Sequence, residues 1–277
     1  MSKFRAYLYL LITLLAFSSI EVVSKPLMGK VDAFFMTAFR FLIGGLVLML
    51  FVNQDVKLRD VFPIILIGFL NSVVSMTALQ LSVKYSNAST AATLVASNPI
   101  FVSFFAMFLL NEKYKLKKYI GIFLGFVGIF IFSLGKINGD SWLGIMFGIL
   151  AASTFGLYTV LMKSYNKKYG PLVVTAYSSL GSSLLYILGL VILKRLYIPA
   201  ELDIRGWIII TYLGIVVTGI AYLTYFKAME TLGATQSSRI FFLKPIVATL
   251  FAVVLLGESV SAVKIIGMLI VLFSLAL

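Results

Sequence analysis

The sequence predicts an all-α polytopic membrane protein: ten transmembrane helices built as two inverted five-helix repeats. Three observations carry that fold class. Of 277 residues, 61% are hydrophobic and only 12% charged, and the mean hydropathy is +1.07; a soluble domain has roughly 45–50% and about 25%. The apolar residues fall into ten runs punctuated by charge, Pro and Gly. The two halves of the chain also repeat one another. There is too little polar side chain to cover a water-facing surface, so the bulk solvent is lipid.

A span takes about 20 apolar residues. The runs predict helices at 5–25, 33–52, 61–83, 88–110, 117–135, 142–162, 171–193, 206–229, 234–256 and 260–277. Between 61 and 110 the only polar break is Lys84-Tyr85-Ser86-Asn87. The opening, Met1 to Arg5 and then an apolar run to about Val23, looks like a signal peptide. The run is long and no A-x-A site follows, so it reads as a retained first helix.

Histidine and cysteine are both absent. That removes disulfides, thiolate chemistry and imidazole metal sites, so neither a metal nor a cofactor is expected, and any proton coupling falls to a carboxylate. The chain has no Walker loop and no Ser-His-Asp set, so it does not read as an enzyme. A net charge of +13 reads as Lys and Arg beside anionic lipid rather than as a nucleic-acid surface. With the N-terminus inside, twelve Lys and Arg fall in inner segments and eight in outer loops, the run Lys113–Lys118 leading. Both termini are therefore expected in the cytoplasm, at the inner membrane. Lys264 counts among the outer-loop residues on this division.

The repeat is specific. At an offset of 146, Gly68 meets Gly214, Ala88 meets Ala234, Pro99 meets Pro245, Glu112 meets Glu258 and Gly121 meets Gly267. Phe17 to Lys25 matches Phe155 to Lys163 at 138. The halves are expected to divide as 1–138 and 139–277. Five helices per copy is an odd number, so the second copy enters the membrane from the opposite side. Inverted repeats are the build of secondary transporters, with substrate held near the midplane between the copies.

The pattern Asn98-Pro99 … Leu109-Leu110-x-Glu112 … Gly121 and its echo Lys244-Pro245 … Leu255-Leu256-x-Glu258 … Gly267, with Arg40-Phe41 in helix 2 and Lys25 closing helix 1, resembles the EamA-type branch of the drug/metabolite transporter superfamily. The resemblance runs over nearly the whole chain. It implies ten helices in two inverted bundles and export or exchange of small metabolites such as amino acids. Many members carry Trp-Gly in helix 1, where this chain has Phe17-Ser18.

An ionisable group inside the hydrocarbon costs at least ~2.5–3.5 kcal/mol and is a functional candidate by default. Lys244, deep in helix 9, reads as a fixed cation for a substrate carboxylate or phosphate, or as half of a structural ion pair. Arg239, shallower, reads as snorkelling. Glu21 reads as a group for an amine or a coupling proton, or as the partner of Lys25 at i, i+4. Arg40 reads as architecture, with pairing to Glu21 satisfying both. Glu112 and Glu258 end helices 4 and 9 and read as structural. Asn71, Ser75, Gln80, Thr93, Ser97 and Asn98 in one half, and Tyr158, Tyr177, Thr218, Tyr222, Tyr225 and Ser238 in the other, point to a hydrated central cavity. The substrate-binding set is expected to be Glu21, Arg40, Asn71, Ser97, Asn98, Tyr158, Tyr222 and Lys244. Gly121/Gly125 and Gly144/Gly148 allow close helix contacts, within the chain or between copies.

The expected partners are thus a small-molecule substrate, membrane lipids and a coupling proton or cation, with the oligomeric state open. Rival readings are an organic-cation or drug exporter and a lipid-handling membrane factor without transport.

Overall fold

A computed structural model describes residues 2–199, 202–233, 236–237 and 239–277, with only the backbone of Arg239. The expectations for Ala234, Ser238 and the Arg239 side chain lie outside the described residues.

Among the described residues the chain is helical without a named strand. Seven helices are long and apolar enough to cross a membrane: α1 (Lys3–Leu27, its last turn tightened to 3-10), α3 (Leu58–Tyr85), α4 (Ala88–Leu109), α5 (Leu116–Leu134), α6 (Trp142–Leu161), α7 (Pro171–Ile192) and α8 (Ile204–Leu232). Three further apolar helices are shorter: α2 (Ala33–Met49), α9 (Ile240–Leu256) and α10 (Ala262–Ala276). Their starts are written in the sequence. Asp32, Ser141, Asp203 and Ser261 each accept a backbone N–H from the first turn of α2, α6, α8 and α10, satisfying donors that a helix start leaves free.

The distribution of side chains is that of a protein in lipid. Phe62, Phe123, Met146, Ile208 and Val254 face outward, while Glu21, Arg40, Asn71, Gln80 and Lys264 are buried. The chain is a polytopic, membrane-embedded protein. Helix α1 runs through the interior against α8 and α9.

Four departures from regular helix were not legible as separate elements. The expected helix 88–110 breaks at Ser97 into Ala88–Ala96 and Asn98–Leu109. In α9 a 3-10 turn, Arg239–Phe242, precedes an α-helical run from Lys244. Each break sits just before a proline, which has no N–H to give and disfavours a helical conformation at the residue before it. Helices α3 and α8 each contain a π turn, Leu70–Ser75 and Leu213–Ile220, a rare geometry found often at functional sites.

The small-residue pairs are used inside the chain. A Cβ at Gly121 or Gly125 would meet Ser274 of α10, and one at Gly144 or Gly148 would meet Ser86 or Ser82. Helices α5 and α10 approach closely: a Cβ added at Gly267 would lie only 2.4 Å from the Phe132 backbone nitrogen.

Candidate functional site

Glu21 and Lys244 meet at the centre of the fold. Glu21 lies on the buried face of α1, and Lys244 opens the α-helical part of α9 beside Pro245. The Lys244 ammonium donates to Glu21 Oε1 at 3.0 Å, with side-chain exposures of 10% and 0%. Among the described residues, Glu21 Oε2 has no hydrogen-bond partner, and neither has Ser18 Oγ one turn earlier. Phe17, a turn before Glu21, packs edge-on to Tyr222 (5.1 Å) and against Phe241 (5.8 Å), so aromatic rings form one wall of the pair.

Arg40 is buried in α2. Its Nε donates to Thr218 Oγ1 at 2.8 Å, and its guanidinium stands 5.3 Å from the Phe41 ring centroid. The π turn of α8 makes that contact possible, since Thr218 itself donates to the Leu213 carbonyl five residues back. Nη1 of Arg40 and Oδ1 of Asn71, in the π turn of α3, have no partner among the described residues. Asn71 and Arg40 are both buried, 4% and 2% exposed. Tyr158, on α6, is buried and lies with its ring 5.9 Å from that of Phe155.

Of the eight expected site residues, Glu21 and Lys244 are in direct contact, Tyr222 packs on Phe17 one turn before Glu21, and Arg40 bonds Thr218 on the same helix as Tyr222. Ser97 and Asn98 are at the α4 break with their polar groups turned onto their own helix. Ser97 Oγ donates to the Leu94 carbonyl and Asn98 Nδ2 to the Val95 carbonyl. Gln80, fully buried in α3, has neither amide atom paired among the described residues. A buried polar group without a partner is uncommon, and several near one centre mark a place built for something polar.

Three expected pairings differ. Lys25 donates to the Val83 and Ser86 carbonyls and leaves Glu21 alone, because the helix tightens to 3-10 at Lys25 and carries its stem toward the end of α3. Arg40 bonds Thr218 and not Glu21, because Thr218 on α8 packs against α2 and takes its Nε, while Lys244 supplies the cation beside Glu21 Oε1. Lys264, expected in an outer loop, is 1% exposed in the first turn of α10 and donates to Asp140 and Thr90. A dense polar joint was therefore missed at this end. Its signal was Asp140, a carboxylate in a short loop followed by the helix-capping Ser141. Burial raises the Asp140 carboxyl, but hydrogen bonds from Lys264 and the Asn87 and Ile137 N–H groups outweigh it and hold it below the usual value.

At the opposite end Lys163 pairs with Glu112, whose second oxygen takes the Tyr114 hydroxyl at 2.8 Å. Those two donors hold the Glu112 carboxyl below its usual range. Burial and the neighbouring carboxylate push the Tyr114 phenol up to about 12.

Comparison with known proteins agrees with this build. The model of the "EamA-like transporter family" matches twice, at residues 4–134 and 142–277. An uncharacterized transporter of Clostridium kluyveri is 30% identical over 97% of this chain and 91% of its own length. The Bacillus subtilis uncharacterized transporters YdfC and YetK are 27% and 24% identical, over 83% and 95% of this chain and 76% and 83% of theirs. One solved crystal structure shares the fold, with a TM-score of 0.66 at 20% identity over 99% of this chain and 96% of that one.

Proposed function

The chain belongs to the EamA-like transporter family, and from that premise we propose that it is a secondary transporter moving a small zwitterionic metabolite, an amino acid or derivative, by alternating access. A membrane transporter is the family's common ground; cargo and mechanism are our reading. The observation that carries it is the buried Glu21–Lys244 pair ringed by unpartnered polar atoms. It offers a carboxylate for an ammonium and an ammonium for a carboxylate within one site. Arg40 and Asn71 stand ready for further polar contacts, and Phe17 and Tyr222 for an apolar side chain. Glu21 is the group for a coupling proton, if one moves.

The reading takes all ten helices as spans, in two inverted halves at 1–138 and 139–277. Support comes from the double family match, from a π turn in both α3 and α8, and from breaks before Pro99 and Pro245. The packing pairs are also reciprocal: α2 lies on α8 as α7 lies on α3, and α1 on α9 as α6 on α4. At 1.5 Å per residue the shorter helices reach about 22–26 Å, a mismatch that local thinning of the bilayer accommodates. Both termini then lie on the Lys113–Lys118 side, taken as cytoplasmic.

An organic-cation exporter needs Glu21 free of Lys244, and the 3.0 Å pair weighs against it. Lipid handling needs a headgroup site open to the bilayer. The groove of about 400 Å³ between α5 and α10, bordered by Leu124 and Phe273, is lined by apolar residues alone. The test is counterflow in proteoliposomes holding the full-length protein, against a panel of amino acids and related amines. Exchange of at least one amino acid is expected; a panel in which none moves overturns the cargo reading.

A further inference from the structure

Four charged residues are buried among the described ones: Glu21, Arg40, Lys244 and Lys264. Three of them meet an opposite charge. Glu21 and Lys244 neutralise one another, and Asp140 neutralises Lys264. Arg40 has no carboxylate partner among the described residues. Its one hydrogen bond there runs from Nε to the neutral Thr218 hydroxyl at 2.8 Å, and its buried Nη1 has no partner. A guanidinium keeps its charge at any pH a protein meets, and a buried charge without a counter-charge is strongly disfavoured. The interior therefore carries one positive charge that the chain's own described groups do not offset.

Packing fixes that charge in place. Gly44, one turn beyond Arg40 on α2, lets α8 come so near that an added Cβ would stand 2.4 Å from Thr218. Thr218 commits its own hydroxyl proton to the Leu213 carbonyl at 3.0 Å, which leaves its oxygen to accept from Nε. No described residue bonds the Nη edge of the guanidinium, the kind of edge that takes a carboxylate through two parallel hydrogen bonds. Arg40 also shares a level with the Glu21–Lys244 pair. Glu21 lies six residues before the end of α1 at Leu27, and Arg40 seven after the start of α2 at Ala33. At 1.5 Å per residue both stand about 10 Å below the side where α1 leads into α2. Tyr222, four residues beyond Thr218 on α8, packs at 5.1 Å on Phe17, one turn before Glu21.

A simple zwitterion leaves the charge count unchanged, since its ammonium and carboxylate cancel. A cargo with one further negative charge brings the count to zero. We propose that Arg40 receives a side-chain carboxylate of the cargo, so that the amino acids carried are acidic ones. Glu21 then meets the α-ammonium, Lys244 the α-carboxylate and Arg40 the second carboxylate. This assignment rests on the amino-acid reading given above and narrows it to one charge class. Arg40 thereby sets which substrate is carried as well as how tightly it is held.

The test uses full-length protein and two near-isosteric pairs, glutamate with glutamine and aspartate with asparagine. Binding is read as a thermal shift in detergent, since a ligand of the native state raises the melting midpoint by mass action, and exchange is read as counterflow in proteoliposomes. The parent is expected to bind and exchange at least one acid at least tenfold better than its amide. Arg40→Gln is expected to lower acid binding at least tenfold, with a much smaller change for the amide. It should also raise the ligand-free midpoint, because an uncompensated buried charge is gone. Arg40→Lys keeps part of the acid preference. Equal handling of acid and amide by the parent overturns the Arg40 assignment, leaves the amino-acid reading standing and needs no variant to fold. An Arg40→Gln protein with a lower ligand-free midpoint and an unchanged acid preference marks a structural arginine and overturns it too. So does a parent midpoint that follows chloride or inorganic phosphate with no acid competing, which assigns Arg40 to a resident anion. Acids that bind preferentially but do not exchange uphold Arg40 and sink transport alone. If none of the four ligands binds or moves, both proposals fall.

Discussion

Asn98 and Lys244 each stand directly before a proline, and their side chains do different work. Asn98 turns its amide onto the Val95 carbonyl at 2.9 Å, an acceptor that Pro99 cannot serve. Lys244 instead reaches Glu21, 223 residues away in sequence, at 3.0 Å. One break is patched locally, while the other delivers a cation to the centre of the fold.

The local patch has a measurable cost. Asn98→Ala leaves the Val95 carbonyl without that donor and is expected to lower stability by roughly 1–2 kcal/mol. Pro99→Ala restores a backbone N–H, so adding it to Asn98→Ala recovers most of the loss. Thermal denaturation of the four proteins in one detergent checks the cycle.

Close approach of α5 and α10 depends on Gly267. A methyl there would lie 2.4 Å from the Phe132 nitrogen, and Gly267→Ala is expected to cost about 1–3 kcal/mol through forced separation. Gly189, in α7, has nothing within 4 Å of its virtual Cβ. Gly189→Ala should gain about 0.5–1 kcal/mol, the usual penalty of glycine inside a helix. The two melting midpoints must move in opposite directions.

The joint around Asp140 sets an acid limit. Its carboxyl is held below the ordinary value of 3.8, so its contribution is fully present above pH 3.8 and is lost as pH falls through the lower folded value. Stability should be level in this respect from neutral pH to about 5 and decline below 4. In Asp140→Asn that part of the acid decline is absent, and stability at neutral pH is lower because Lys264 is left buried without its carboxylate. A pH series of melting curves for both proteins reads the difference.

Much of this was legible from residue order. Hydropathy located the helices to within a few residues, because every apolar run is bounded by charge, Pro or Gly. Lys84 to Asn87 did divide α3 from α4. Glu21, Arg40 and Lys244 stood out in the sequence because each puts a charge into an otherwise apolar helix, and all three are buried. Partnerships were less legible. Neighbours at i, i+4 favoured Lys25 for Glu21, but tertiary packing brought Lys244 from the other half. Lys264 looked like a loop residue since only the α10 cap and the distant Asp140 draw it inside. The π turns, Leu70–Ser75 and Leu213–Ile220, have no composition of their own that marks them in the sequence.

The central claim is that Glu21 and Lys244 hold cargo as well as each other. Removing one partner of a buried pair typically costs about 3–5 kcal/mol, whereas removing both charges is far milder. Glu21→Gln and Lys244→Gln should therefore each destabilise the protein, and the double variant should melt close to the parent. The deciding measurement is amino-acid counterflow by that double variant in proteoliposomes. Exchange at least 100-fold below the parent, in a protein of restored stability, is the predicted result. Exchange at the parental rate and affinity would show the pair to be structural alone and contradict the account.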